Sequence, residues 1–188
     1  MENTEKFKKI DISTKAVLLV DSEDNLIGVA EKIHAHRKSL LHRAFSIFIF
    51  NDKQELLLQK RAIEKYHCGG LWTNTCCSHA KLGEDIVKTA ENRLEFEMGV
   101  STSLTYVAKF KYLAKLSNEM FEHEIDHVFV GWVTEECPVV INHEEACDFS
   151  WVDISELQDS IQKHPEKYTP WLKKSLAIAL THQHFQRK

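Results

Sequence analysis

The sequence predicts a single α/β domain, of the α+β kind, in which a mixed sheet is flanked by helices. Three observations carry that expectation. Paired apolar runs flank polar turns in the first third of the chain, one amphipathic segment with a four-residue period lies mid-chain, and cappable helical segments follow the last strand. The hairpins exclude a simple doubly wound sheet. At 188 residues the chain suits one domain that buries most of its apolar surface without disulfides. It has no internal repeat, low-complexity tract or Pro/Gly-rich linker, which supports one domain over residues 1–188, with the lysine-rich residues 1–15 a candidate disordered tail.

The elements follow in order. Residues 16–21 and 26–32 flank the polar turn Ser22-Glu23-Asp24-Asn25 and read as a hairpin. Residues 44–50 and 55–58 repeat the pattern around Asn51-Asp52-Lys53. Over residues 84–98, Ile86, Ala90, Leu94 and Met98 form one apolar helical stripe that stops at Gly99. Two long extended stretches, 104–116 and 121–133, come next, followed by a short strand at 147–152. Asp153 can cap a helix over 154–161, and Thr169 with Pro170 suits the first turn of a last helix.

Composition excludes several functions. A net charge of −4 argues against a nucleic-acid partner, which needs a basic excess to displace counterions. The longest apolar run, 44–50, contains Ser46 and is far too short to span a bilayer. The first residues lack the apolar core of a secretory signal. Five cysteines in no regular spacing argue against a disulfide framework and for a reducing compartment. A cytoplasmic monomer acting on a small molecule is expected.

Four local features carry candidate chemistry. The segment Trp72-Thr73-Asn74-Thr75-Cys76-Cys77-Ser78-His79 sets thiols beside an imidazole, after the flexible Gly69-Gly70. Buried cysteines often only fill space, the favoured reading for Cys76. A structural zinc site on His67, Cys68, Cys76, Cys77 and His79 is a weaker alternative, because no Cys-x2-Cys pair is present. Second, Glu122-His123-Glu124-Ile125-Asp126 reads as strand, so Glu122 and Glu124 share one face and His123 and Ile125 the other. Two carboxylates on one face repel unless a cation or proton sits between them. A solvated outer face is the bland alternative, but the run continues into Val128-Phe129-Val130, which favours a site.

Third, His34, His36 and His42 precede the 44–50 strand. His36 and His42, added to His79, Glu122 and Glu124, give three imidazoles and two carboxylates, a set suited to an octahedral divalent ion. Fourth, residues 84–100 partly fit the nudix pyrophosphohydrolase pattern. Glu84, Leu94, Glu97, Gly99 and Val100 match it, whereas Ser78, Asn92-Arg93 and Phe96 replace its glycine, its Arg-Glu and the first of its paired glutamates. Hydrolysis in that family depends on a carboxylate cluster holding magnesium, and here part of the cluster is lost. Arg93 and Glu97 lie one helical turn apart on one face, which suits phosphate and magnesium respectively.

Together these segments resemble the type 1 isopentenyl-diphosphate isomerases, from about Val17 to Trp171. The most specific parts are Glu31-Lys32, His42-Arg43-Ala44-Phe45-Ser46, Lys60-Arg61-Ala62, Trp72-Thr73-Asn74, Cys77-x-His79, Glu97-x-Gly99-Val100 and Glu122-x-Glu124. The resemblance implies a nudix-like mixed sheet flanked by helices, and interconversion of isopentenyl and dimethylallyl diphosphates. It implies metal ligands at His36, His42, His79, Glu122 and Glu124, holding Mn2+, Zn2+ or Mg2+. The catalytic thiol falls on Cys77, and the opposing acid on Glu124 assisted by Tyr112. Diphosphate-binding cations fall on Lys32, Arg61, Lys65 and Arg93, and an active-site tryptophan on Trp171. A diphosphate-bound Mg2+ falls to Glu97 and the backbone carbonyl of Cys77. The His36–His42 spacing is one residue shorter than in the bacterial members compared, which leaves His34 as an alternative first ligand. Cys76 likewise competes with Cys77, although the Cys77-x-His79 register favours Cys77. A nudix hydrolase is the second reading.

Overall fold

The computed structural model describes residues 15–116 and 119–182. The candidate tail therefore lies almost wholly outside the described residues. Nine strands form one mixed sheet. Strands β1 (Ala16–Val20) and β2 (Leu26–Glu31) make the first hairpin, and helix α1 (Lys32–Arg37) follows. Strands β3 (His42–Phe50) and β4 (Leu56–Arg61) make the second. Then come β5 (Trp72–Thr73), β6 (Cys76–His79), helix α2 (Ile86–Met98), β7 (Thr105–Lys115), β8 (Phe121–Trp132) and β9 (Ala146–Val152). Helices α3 (Ile154–Lys163) and α4 (Leu172–Ala179) close the described chain.

Strand β3 is the hub. It pairs antiparallel with β1, β4 and β6, and parallel with β8 on its other flank. Strand β7 pairs with β8, and β9 with β4, both antiparallel. Alternation along β3 sorts its side chains between two layers. Phe45, Ile47 and Ile49 pack with Ala90, Leu94 and Met98 of α2, whereas Phe48 and Phe50 pack with Leu157 and Ile161 of α3 and Leu172 and Leu176 of α4. Each such fully buried side chain contributes about 1.5–3 kcal/mol of apolar burial. The stripe expected on α2 is the one that is buried. The helix begins after Asp85, whose carboxylate accepts from Lys88 N, and ends at Gly99, whose φ of 66° lies in the left-handed region.

The predicted strands and helices all form, within a few residues of their expected ends. Two parts differ. Lys32–Arg37 is helical, with Glu31 accepting from Ile33 N and His34 N at its start. Strand β3 begins at His42 rather than at residue 44, which places His42 in the sheet.

Candidate active site

The floor of the site follows from strand register. The parallel ladder sets His42 beside Glu124, and the antiparallel ladder sets Tyr112 beside Glu124 from the other side. Strand β6 brings His79 opposite Ala44 and Cys77 opposite Ser46. Along β8, Glu122, Glu124 and Asp126 share a face by alternation and all are buried. His36 arrives from α1. His36 is wholly buried and faces the cluster, whereas His34 is exposed.

Glu124 Oε1 lies 3.3 Å from His42 Nε2 and 3.2 Å from His79 Nε2, and Glu122 Oε2 lies 3.2 Å from His36 Nε2. The Nδ1 atoms of His36 and His42 sit 2.7 Å and 2.8 Å from the backbone carbonyls of Lys32 and Leu40, contacts that only an N–H can make. Both Nε2 atoms therefore turn a lone pair toward the carboxylates. His36 Nε2, His42 Nε2 and Glu122 Oε2 are buried with no hydrogen-bond partner. Lone pairs aimed at one point leave room for a cation, and the ligand atoms of His36, His42, His79 and Glu124 all lie within 4.8 Å of one another. Three imidazoles and two carboxylates fit a divalent ion, with the carbonyl contacts fixing ring orientation. Burial, and then the Lys32 charge, hold His79 well below the usual histidine range, so it stays a neutral donor. Burial would raise Glu124, but the His42 and His79 imidazoles facing it prevail and hold it well below the carboxylate range. Tyr112 Oη donates to Glu124 Oε2 at 2.5 Å.

Above this floor opens a cavity of about 260 Å3. Cys77, Glu124, Tyr112 and Trp171 line it together with Lys32, Arg61, Lys65 and Arg93. Burial pushes the Cys77 thiol up to about 12, against the pull of Arg61, whose Nη1 lies 3.6 Å from Sγ. Burial and the charge of Lys65 lower the Lys32 ammonium, the mark of cations crowded around a place for an anion. Arg93 Nη2 reaches Glu97 Oε1 at 2.5 Å and Glu145 Oε1 at 3.0 Å, and Lys65 pairs with Glu145. Glu97 also accepts from Gln59 Nε2 at 2.9 Å. Trp171 is buried, donates to Asn74 Oδ1 at 3.1 Å, and carries the Arg61 guanidinium over its ring at 5.6 Å.

Every site residue expected from the sequence thus meets at one place. Cys76 does not: it is buried in the cluster beneath α2, with Ala90, Leu94 and Met98. The zinc alternative fails geometrically, since among the described residues no group able to share a cation contains a cysteine. The Trp72-Thr73-Asn74-Thr75 run serves the fold. Asn74 Nδ2 donates to the Ile47 and Cys76 carbonyls, and Thr75 Oγ1 donates to the Leu57 carbonyl and accepts from Ile49 N. Sequence reasoning missed Glu145 and Tyr66 and assigned His67 only to the zinc alternative; all three line the cavity.

The mixed sheet carries a helix, α2, that lends Arg93 and Glu97 to a cation-lined cavity, and residues 40–172 match the NUDIX domain family. A Deinococcus radiodurans protein superposes with a TM-score of 0.71 at 14% identity, covering 87% of this chain and 98% of its own. A MutT protein from Methanosarcina mazei gives 0.58 at 17% identity, covering 78% and 94%. Within that class the chain belongs to the isopentenyl-diphosphate Delta-isomerase family. It is 48% identical to isopentenyl-diphosphate Delta-isomerase 2 of Photorhabdus laumondii, over 84% of this chain and 88% of that one. It is 46% identical to the Serratia proteamaculans isopentenyl-diphosphate Delta-isomerase (82% and 86% covered), and 40% identical to that of Photobacterium profundum (90% and 96% covered).

Proposed function

We propose that this protein interconverts isopentenyl diphosphate and dimethylallyl diphosphate by protonating one alkene carbon and deprotonating another. The observation that carries the reading is the placement of two proton-transfer groups on opposite flanks of β3, Cys77 on β6 and the Glu124–Tyr112 pair across β8 and β7. Between them β3 lines the cavity with Ala44, Phe45 and Ser46, of which Ala44 and Ser46 are small and leave room for a short carbon chain.

Cys77 is the thiol partner. With its pKa pushed to about 12 the resting sulfur holds a proton, so the stored proton and the vacant acceptor lie on opposite sides of the substrate. Glu124 is the opposing group, and the Tyr112 hydroxyl shares its proton. Isomerisation is reversible, so each group donates in one direction and accepts in the other. His36, His42, His79, Glu122 and Glu124 would hold a divalent ion, Mn2+, Zn2+ or Mg2+, which supplies fixed orientation and charge at the Glu124 carboxylate. Lys32, Arg61, Lys65 and Arg93 bind the diphosphate, displacing their contacts to Glu145 and Glu97. Magnesium carried by that diphosphate would lie against Glu97 and the Cys77 carbonyl. The Trp171 ring walls the cavity and stabilises positive charge on the carbon chain by about 1–2 kcal/mol.

A monomer acting on this small molecule is part of the proposal, and no helix among the described residues is long and apolar enough to cross a membrane. Cytoplasmic placement belongs to the same proposal. The test is proton NMR of isopentenyl diphosphate in deuterated water with the protein, magnesium and the site metal. Allylic exchange should appear, and should vanish in Cys77→Ala and in Glu124→Gln. Release of phosphate or pyrophosphate without exchange would establish the hydrolase reading instead.

A further inference from the structure

The loop between β4 and β5 delivers a fourth imidazole to the Glu122 side of the metal cluster. His67 is 7% exposed, and its Nε2 lies 3.0 Å from Glu122 Oε1. Its Nδ1 is buried without a partner, so in the neutral ring the proton belongs on Nε2, where an acceptor waits. The two Glu122 oxygens are thereby divided. Oε1 meets His67, and Oε2 is left facing His36 Nε2 at 3.2 Å. The ligand atoms of His67, His36 and Glu122 lie within 4.8 Å of one another, but His67 is absent from the group formed by His36, His42, His79 and Glu124. Glu122 is absent from that group as well, and His36 belongs to both.

The loop is shaped to hold it there. The His67 ring stacks on His36 with centroids 5.4 Å apart, and its carbonyl accepts from Arg61 Nη2 at 3.3 Å. Directly after it, Cys68 takes φ 50° and Gly70 φ 76°. A Cβ at Gly69 would come 2.3 Å from the Ile63 carbonyl oxygen. Left-handed backbone at a non-glycine residue is strained and persists where the surroundings enforce it.

We infer that His67 is a positioning residue for metal binding: its Nε2–H holds Glu122 Oε1 and so aims Oε2 at the ion. The inference rests on reading the cluster as a divalent-metal site and adds a residue to it. Its contact with Arg61 also ties the loop of the diphosphate-binding wall to the metal cluster.

The test is metal affinity, measured by titrating the metal-stripped full chain with Zn2+ and with Mn2+ against a competing chelator. His67→Phe, which keeps the packing and removes the donor, should bind about 10–100-fold more weakly, the usual effect of losing a partner behind a ligand. His67→Gln, whose amide can still donate, should recover most of that loss. In a Glu122→Ala background His67→Phe should change nothing further, because its effect passes through Glu122. Affinity in folded His67→Phe equal to the original protein's would overturn the inference. So would a folded His67→Gln as weak as His67→Phe, or a full second loss in the Glu122→Ala background. If His67→Phe does not fold, the His67→Gln comparison and its Glu122→Ala double variant decide between the same outcomes. A starting protein that takes up neither ion would sink the metal reading itself, a separable result.

Discussion

Cys76 and Cys77 are adjacent in sequence and opposite in surroundings, so alanine at each should produce opposite defects. Cys77 lines the cavity, and burial pushes its thiol pKa up so that it is protonated at pH 7. Its removal deletes a proton-transfer group, and kcat should fall by about 10^2–10^4-fold. Stability should change by only about 0.5 kcal/mol, since Sγ borders a cavity and little packing is lost. Cys76 is fully buried against Ala90 and Leu94. Its sulfur is comparable to a buried methylene, about 0.8 kcal/mol in transfer, and a void of about 20 Å3 at roughly 24 cal/mol per Å3 adds about 0.5 kcal/mol. The sum, about 1.3 kcal/mol, lowers Tm by roughly 3–5 °C for a domain of this size. Steady-state isomerisation and thermal unfolding by circular dichroism read the two effects separately. An inactive, fully stable Cys76→Ala beside an active Cys77→Ala would refute the assignment of the faces.

Other expected outcomes test the rest of the molecule. Asp24 is a buried carboxylate facing Arg43 Nε at 2.7 Å, Lys109 Nζ at 2.9 Å and His127 Nε2 at 2.9 Å. Burial would raise it, but the Lys109 and Arg43 hydrogen bonds prevail and its pKa is lowered. A depressed carboxylate stabilises the fold above its unfolded pKa, about 3.9, and that contribution disappears as pH falls through the folded value. Asp24→Asn should therefore cost about 1–3 kcal/mol at pH 7 by urea unfolding, and the gap from the original protein should shrink below about pH 4. Chelation should abolish isomerisation while circular dichroism stays native, because β3, β6 and β8 are held by backbone ladders; Tm should nonetheless drop, as Glu122 and Glu124 lose a buried counter-charge. Arg93→Leu should raise KM for the diphosphate by about 10–100-fold and leave kcat within a few-fold, the pattern of lost uniform binding.

The features visible in the sequence are those with a local period. The four-residue stripe of α2 and the two-residue alternation of Glu122 and Glu124 state which side chains share a face before any fold is known. Pairing across the sheet has no such signature. Nothing near His42 announces a parallel partner 82 positions away, yet that ladder is what brings it to Glu124. Helix α1 has six residues and no apolar period, and its placement of His36 inward and His34 outward depends on the Glu31 cap and on packing. His67 depends on a left-handed turn through Cys68 and Gly70, and Glu145 on a loop crossing from β8 to β9. The resemblance supplied the residues, whereas the register explains why they meet.

The same register explains how a hydrolase-type scaffold comes to serve an isomerase. Hydrolysing a diphosphate requires carboxylates beside the phosphates, to hold metal and activate water there. On α2 the phosphate-facing turn keeps Glu97, bound by Arg93 and Gln59, and puts an exposed Phe96 against the Arg93 guanidinium at 4.9 Å. The cavity there presents mainly cations, which grip a diphosphate without attacking it. The clustered carboxylates stand instead on β8, across β3 from Cys77, where the proposed reaction puts the carbon chain. In the proposed reaction, carboxylates on the strand rather than the helix change which atoms meet acid and base: the phosphorus would be held, and the alkene carbons would be the ones placed between proton donor and acceptor.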